Sequence, residues 1–190
     1  MRVISVFALA LFASCVHTSE LVPTVSGSTR FSKADSFYVS LPRDGEYEGR
    51  PYVGSGLQTA RAIEAELLRH TSTVRVGSAV ELREAARAAA RGEELRFVVV
   101  PTILHWEDRA TEWSGILDKL EVRLDVVEVE GGTTLHSVGI KGKSKWATFG
   151  GDHPQDLLPE PLEEFFSGLF PESSAPSTTP KPTGPGPKDW

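Results

Sequence analysis

The densest concentration of reactive side chains is Thr102-Ile103-Leu104-His105-Trp106-Glu107-Asp108-Arg109-Ala110-Thr111-Glu112-Trp113-Ser114-Gly115, with two Trp, one His, three acids and one Arg in fourteen residues. A second runs from Lys141 to Asp156, through Lys143, Ser144, Lys145, Trp146, Gly150, Gly151, Asp152 and His153. Imidazole and carboxylate are the groups that hold zinc or move protons, so His105, Glu107, Asp108, Asp152 and His153 are candidates for a metal or acid–base site. The spacing does not make one: His105-x-Glu107 lacks the helical His-Glu-x-x-His arrangement of metalloproteases. On a strand, His105 and Glu107 share a face and Asp108 points away from it. Ordinary ion pairs at a polar strand end would use the same residues. Ser114 and Ser144 lack the surroundings of a nucleophile elbow. No set of residues specifies a reaction, so no catalytic residue, metal or cofactor is assigned and the chain is not read as an enzyme.

Binding chemistry has the better case. Trp106, Trp113 and Trp146 fall in these two segments, and Trp is enriched at binding hot spots. With Arg109, Glu112 and Asp152 they form a candidate surface, and Gly150 and Gly151 would let backbone approach it closely. The alternative is an aromatic cluster that closes the end of a sheet. Lys141, Lys143 and Lys145 share one strand face and could meet an anionic polymer such as peptidoglycan or lipopolysaccharide. The same lysines could instead be a solvated face balanced by Glu121 and Asp125.

The elements that would position these segments follow from hydrophobic periodicity. Phe37 to Leu41 is aromatic and β-branched and reads as a strand. A Gly/Pro-rich loop follows, then a helix from Gly56 to His70 with Ser55 as N-cap, carrying Leu57, Ala60, Ile63, Leu67 and Leu68. Val74 to Val76 is a short strand. Ser78-Ala79-Val80-Glu81 matches a capping box opening a second helix, with Leu82, Ala85, Ala86 and Ala89 on its face and Gly92 closing it. Phe97 to Leu104 is apolar on both faces, as a central strand would be, and Pro101 predicts a bulge or bend there. Leu120 to Val126 alternates and so has one wet face. A three-residue loop, Gly131 to Thr133, would pair Leu124 with Ile140, Val126 with Val138 and Glu121 with Lys143. Pro159 to Phe170 reads as a last helix with Leu162, Phe165, Phe166 and Leu169 inward. The expected architecture is one mixed α/β layer, β-α-β-α-β-β-β-α, with helices on one face of a single sheet.

The chain has 190 residues, a net charge of −6, and 39% hydrophobic and 24% charged residues, which describes one ordinary globular domain. It has no basic block, so nucleic acid is not an expected partner. Its single cysteine, Cys15, excludes internal disulfides and cysteine zinc sites. Arg2, an apolar run from Val3 and small residues before Cys15 read as an export signal. A signal ending in small residues and Cys resembles the lipobox of bacterial lipoproteins, with Phe12 in the place where Leu is usual. The resemblance implies cleavage after residue 14, lipid such as palmitate on Cys15, and attachment through lipid rather than a spanning helix. Val16 in place of an acid implies sorting to the outer membrane, facing the periplasm. Residues 15–29 would be a tether, 30–170 the domain, and 171–190 a Pro-rich disordered tail.

Pro101 to Gly115 and Gly142 to Leu162 resemble the signature stretches of an uncharacterised bacterial lipoprotein family, a domain of unknown function, over roughly Phe37 to Phe170. The resemblance implies an envelope lipoprotein with a compact α/β domain and carries no activity. The element order is also similar to small domains of envelope lipoproteins that activate peptidoglycan synthases or form the curli secretion channel, a likeness of fold alone. The expected role is a non-catalytic binding or assembly module in the cell envelope acting on a protein partner. A lipoprotein binding cell-wall or surface polysaccharide or another ligand is the alternative, and a hydrolase using His105, Glu107, Asp108, Asp152 and His153 is the third reading.

Overall fold

The computed structural model describes residues 18–108, 118–144 and 153–171. The signal, Cys15 and the Pro-rich tail lie outside the described residues. The elements are β1 (Thr18–Ser26), β2 (Ser36–Leu41), β3 (Glu46–Tyr47), β4 (Arg50–Pro51), α1 (Ser55–His70), β5 (Thr73–Val80), α2 (Arg83–Gly92), β6 (Phe97–Glu107), β7 (Lys119–Glu128), β8 (Thr134–Lys143) and α3 (Pro159–Leu169), with a 3₁₀ turn at Pro154–Leu157. Six strands form one mixed sheet in the order β1-β8-β7-β6-β2-β5, and β3 and β4 form a separate hairpin. β2 runs parallel to β5 and β6, while β6, β7, β8 and β1 pair antiparallel in turn. The α/β class and the single mixed sheet are as the periodicity predicts.

Connection handedness distributes the helices. The crossover from β2 through α1 moves outward to β5, and the crossover from β5 through α2 returns past β2 to β6. Two right-handed crossovers in opposite directions must lie on opposite faces of a sheet, so α2 does not join the others on one face. The larger core lies beneath α1 and α3, where Phe37, Val39, Val99, Val122, Leu124 and Ile140 meet Ile63, Leu67, Leu162 and Phe166. The smaller lies beneath α2, where Tyr38, Val98, Val100 and Val127 meet Ala86 and Ala90. Alanine at both α2 positions brings that helix close to the sheet.

Local chemistry moves several expected boundaries. Thr18–Ser26, expected within the tether, is an edge strand on β8. Pro23 and a register shift at Pro23/Val25 blunt that open edge. Ser55 does not cap α1: Gly54 holds the cap position at φ 92°, and the Asp44 carboxylate accepts from Gly54 N at 3.1 Å and Gly56 N at 2.8 Å. Ser55 Oγ instead accepts from Gly45 N at 2.8 Å. The expected capping box is strand, because β5 continues until Val80 lies opposite Leu41. Glu81 accepts a 2.8 Å hydrogen bond from the Tyr38 hydroxyl, and burial with that bond raises the Tyr38 pKa. Leu82 is left exposed, and Glu94 at φ 57° makes the left-handed turn expected of Gly92.

The β7–β8 register is displaced by two residues from the expected one. Val122 faces Ile140, Leu124 faces Val138 and Glu121 faces Lys141. The loop is longer because Val129 is drawn out of it. Val129 N donates to Arg96 O at 3.0 Å, while its carbonyl accepts from Arg87 Nη2 at 2.8 Å and Arg91 Nη2 at 3.0 Å. A two-residue slip preserves which face each side chain takes, so the core positions are unchanged. Gly132, at φ 69°, supplies the positive φ expected of this loop.

Candidate functional site

Pro101 leaves the β6 ladder in step, lying opposite Leu124 and beyond the last β2–β6 pair, Val39 with Val99. The irregularity comes later, between Ile103 and His105. It inserts Leu104, which is 52% exposed, and reverses the alternation that follows. Phe97, Val99 and Ile103 point to the larger core, and after the shift Trp106 does so too. His105 and Glu107 share the other face, as their spacing predicts.

Trp106 therefore corrects the expected binding surface: at 2% exposure it belongs to the core. Gly45 passes so close that a Cβ there would stand 2.5 Å from Trp106 Cβ. Trp106 closes this end of the sheet, the structural role held open as its alternative. The β3–β4 hairpin covers it, turning through Glu48 (φ 51°) and Gly49 (φ 74°), the two positive φ values of a tight hairpin turn. Tyr47 from that hairpin meets the His105 ring edge-on at 5.1 Å, and the Tyr52 hydroxyl donates to Asp108 O at 3.1 Å.

Glu107 is wholly buried, with one carboxylate oxygen 3.1 Å from His105 Nε2 and 3.3 Å from Lys119 Nζ. Asp108 Oδ1 is 3.5 Å from His153 Nδ1. These are two pairs with different outlooks. His105 lines a cavity of about 440 Å³ with Lys119, Lys141 and Lys143. Asp108 and His153 line one of about 450 Å³ with Arg50, Tyr52 and Gln58. Among the described residues no group of three or more His, Cys, Asp or Glu could hold a metal ion.

Arg109, Glu112, Trp113 and Ser114 lie outside the described residues, as do Lys145, Trp146, Gly150, Gly151 and Asp152. The points where those two segments leave and rejoin the fold are described, and they are bonded together. Asp118 N donates to Ser144 Oγ at 2.9 Å, and Ser144 N donates to Asp118 O at 3.1 Å. Asp108, at the start of the first segment, meets His153, at the end of the second. His153 N donates to Asp156 Oδ2 at 2.9 Å, fixing the 3₁₀ turn. That turn seats on β8 so closely that a Cβ on Gly142 would stand 2.8 Å from Leu157 Cβ. The buried Ser144 hydroxyl thus holds the two roots together. The signal that sequence reasoning passed over is the polar pair flanking each segment, Asp108 with Asp118 and Ser144 with His153.

The open face beside these roots alternates charge. Lys141 Nζ is 3.7 Å from Glu121, Arg123 Nε is 3.6 Å from Asp125, and Asp125 accepts from Ser137 Oγ at 2.6 Å. Lys119 and Lys143 are direct cross-strand neighbours, and Thr18 lies opposite Lys143 on β1. Lys143 has no ion-pair partner among the described residues.

A family model described as a domain of unknown function (DUF4823) matches residues 29–169. The chain belongs to that family. No curated protein matches it. Among solved structures, a PelC dodecamer from Paraburkholderia phytofirmans is 14% identical, with 81% of this chain and 97% of that chain covered and a TM-score of 0.63. Lipoprotein GNA1162 from Neisseria meningitidis is 13% identical over 72% of this chain and 95% of its own, with a TM-score of 0.44. Protein XCC0632 from Xanthomonas campestris, of the DUF330 family, is 10% identical over 77% and 90%, also at 0.44. The PelC match shows a shared fold.

Proposed function

We propose that this member of the DUF4823 family is a lipid-anchored protein of the bacterial envelope. Its domain is a non-catalytic binding or assembly module that takes a protein partner at one end of its sheet. The observation that carries this reading is the bonded pair Asp118–Ser144. It makes two segments separated in sequence, each with one Trp, one basic and one acidic residue, leave the fold from one place. The lipobox-like run ending at Cys15 supports the anchor, outer-membrane sorting and a periplasm-facing domain. Among the described residues no helix is long and apolar enough to cross a membrane. The separate outlooks of the His105–Glu107 and Asp108–His153 pairs favour binding over hydrolysis.

A photo-crosslinking residue at Glu112 or Asp152 in living cells, followed by mass spectrometry, tests the reading. A discrete envelope protein captured from these positions and absent with the probe at Thr179 is the expected result. Adducts that do not differ from those at Thr179 would overturn it. A second reading, an envelope polysaccharide bearing carboxylates, is favoured by the cavity that Lys119, Lys141 and Lys143 line. Retention of the chain on such a polymer, lost in a Lys119→Gln/Lys143→Gln variant, would move the assignment there.

A further inference from the structure

The anchor reading has a geometric consequence for which way the domain faces. Cys15 precedes Thr18, the first residue of β1, by three residues, a reach of at most about 10 Å. Thr18 lies opposite Lys143, and Lys143 opposite Lys119. These are the same strand ends from which residues 109–117 and 145–152 depart. At the other end of the sheet stand Ser26, His136, Ser36 and Phe97, with Lys33 exposed in the connection from β1 to β2.

We propose that a lipid on Cys15 holds the domain with the Thr18–Lys143–Lys119 end against the bilayer, and that Lys143 contacts the phosphate layer of that leaflet. This rests on the lipid-anchor reading and extends it to orientation. Lys143 is the fitting contact because its neighbours are engaged: Lys119 with Glu107 and Lys141 with Glu121. Two like charges directly across a strand pair repel, and a phosphate beside Lys143 and the Thr18 hydroxyl relieves that repulsion. A protein partner at this end would then be met at the membrane surface.

Orientation can be measured without relying on cellular lipidation, because Cys15 is the chain's only thiol. The chain from Cys15 onward would be coupled through that thiol to maleimide lipid in vesicles of phosphatidylethanolamine and phosphatidylglycerol. Lysine acylation rates would then be read by mass spectrometry. The expected result is several-fold protection of Lys143 relative to Lys33 on coupling, relieved by a long Gly/Ser linker between Cys15 and Thr18. Equal change at both lysines, or protection that survives the linker, would overturn the orientation. In cells, palmitate labelling lost in Cys15→Ala tests the anchor by itself. An unlabelled chain would refute the anchor and leave the vesicle measurement as the judge of the geometry.

Discussion

The two ends of the sheet are built from different chemistry. At the end away from Thr18, Phe31 packs against Phe37, Phe97 and Phe170 with ring centroids 5.2, 4.8 and 5.6 Å apart. His70 stacks on Phe170 at 4.8 Å. Asp35 there pairs with Arg96 and accepts from Ser32 N at 2.7 Å. The other end buries the Glu107 carboxylate and bonds Asp118 to Ser144, the described roots of residues 109–117 and 145–152. Aromatic burial stabilises a fold outright, whereas a buried carboxylate at best recovers its desolvation cost. The aromatic cluster stabilises the first end, whereas the second sets the buried Trp106 ring beside the wholly buried Glu107 carboxylate.

Breaking the aromatic end should have the largest effect. Phe37→Ala removes a fully buried ring and should cost about 3–5 kcal/mol in chemical denaturation. If it costs less than Glu107→Ala, the contrast between the ends is wrong. Cutting a fully buried ion pair also costs about 3–5 kcal/mol. The Lys119 and His105 side chains, however, are 48% and 33% exposed and would be rehydrated. Glu107→Ala should therefore cost only about 2 kcal/mol, by the same measurement. Ser144→Ala loses one neutral hydrogen bond, about 1 kcal/mol. Its sharper readout is hydrogen exchange, which should quicken at the Asp118 amide and leave the Phe37 amide unchanged.

Sequence periodicity made the core legible, because alternating and helical spacings name the inward faces whatever the exact pairing. Ile63, Leu67, Leu124 and Phe166 were all readable, and a two-residue slip in the β7–β8 register left Leu124 inward. What stayed hidden depended on partners distant in the chain. Asp44 rather than Ser55 caps α1, Glu81 answers Tyr38 and does not open a helix, and Val129 leaves its loop to meet Arg87 and Arg91. Of the candidate site, the two segments were legible as concentrations of chemistry. The inward turn of Trp106 was not, because one inserted residue, Leu104, reverses the alternation and nothing at Pro101 announces it.

The smallest predicted effect comes from the aromatic end. His136 is buried against Phe31, its Nε2 lies 2.9 Å from Thr29 O, and burial, with Arg30 nearby, lowers its pKa. The unfolded chain therefore takes up a proton near pH 6.5 that the folded chain refuses until lower pH. This contribution to stability is intact above about pH 6.5 and declines as the pH falls below it. Denaturation midpoints measured between neutral and mildly acid pH should show that decline, and His136→Gln should flatten it. An unchanged slope in the variant would assign the acid sensitivity to other groups.

If the protein works as proposed, residues 109–117 and 145–152 act as one surface. The direct measurement compares the proteins captured by photo-crosslinkers at Glu112 and at Asp152 in living cells. The same partner is expected from both positions, with yield from both reduced together by Ser144→Ala. Different partners from the two positions, or capture from one unaffected by the other's root, would contradict it.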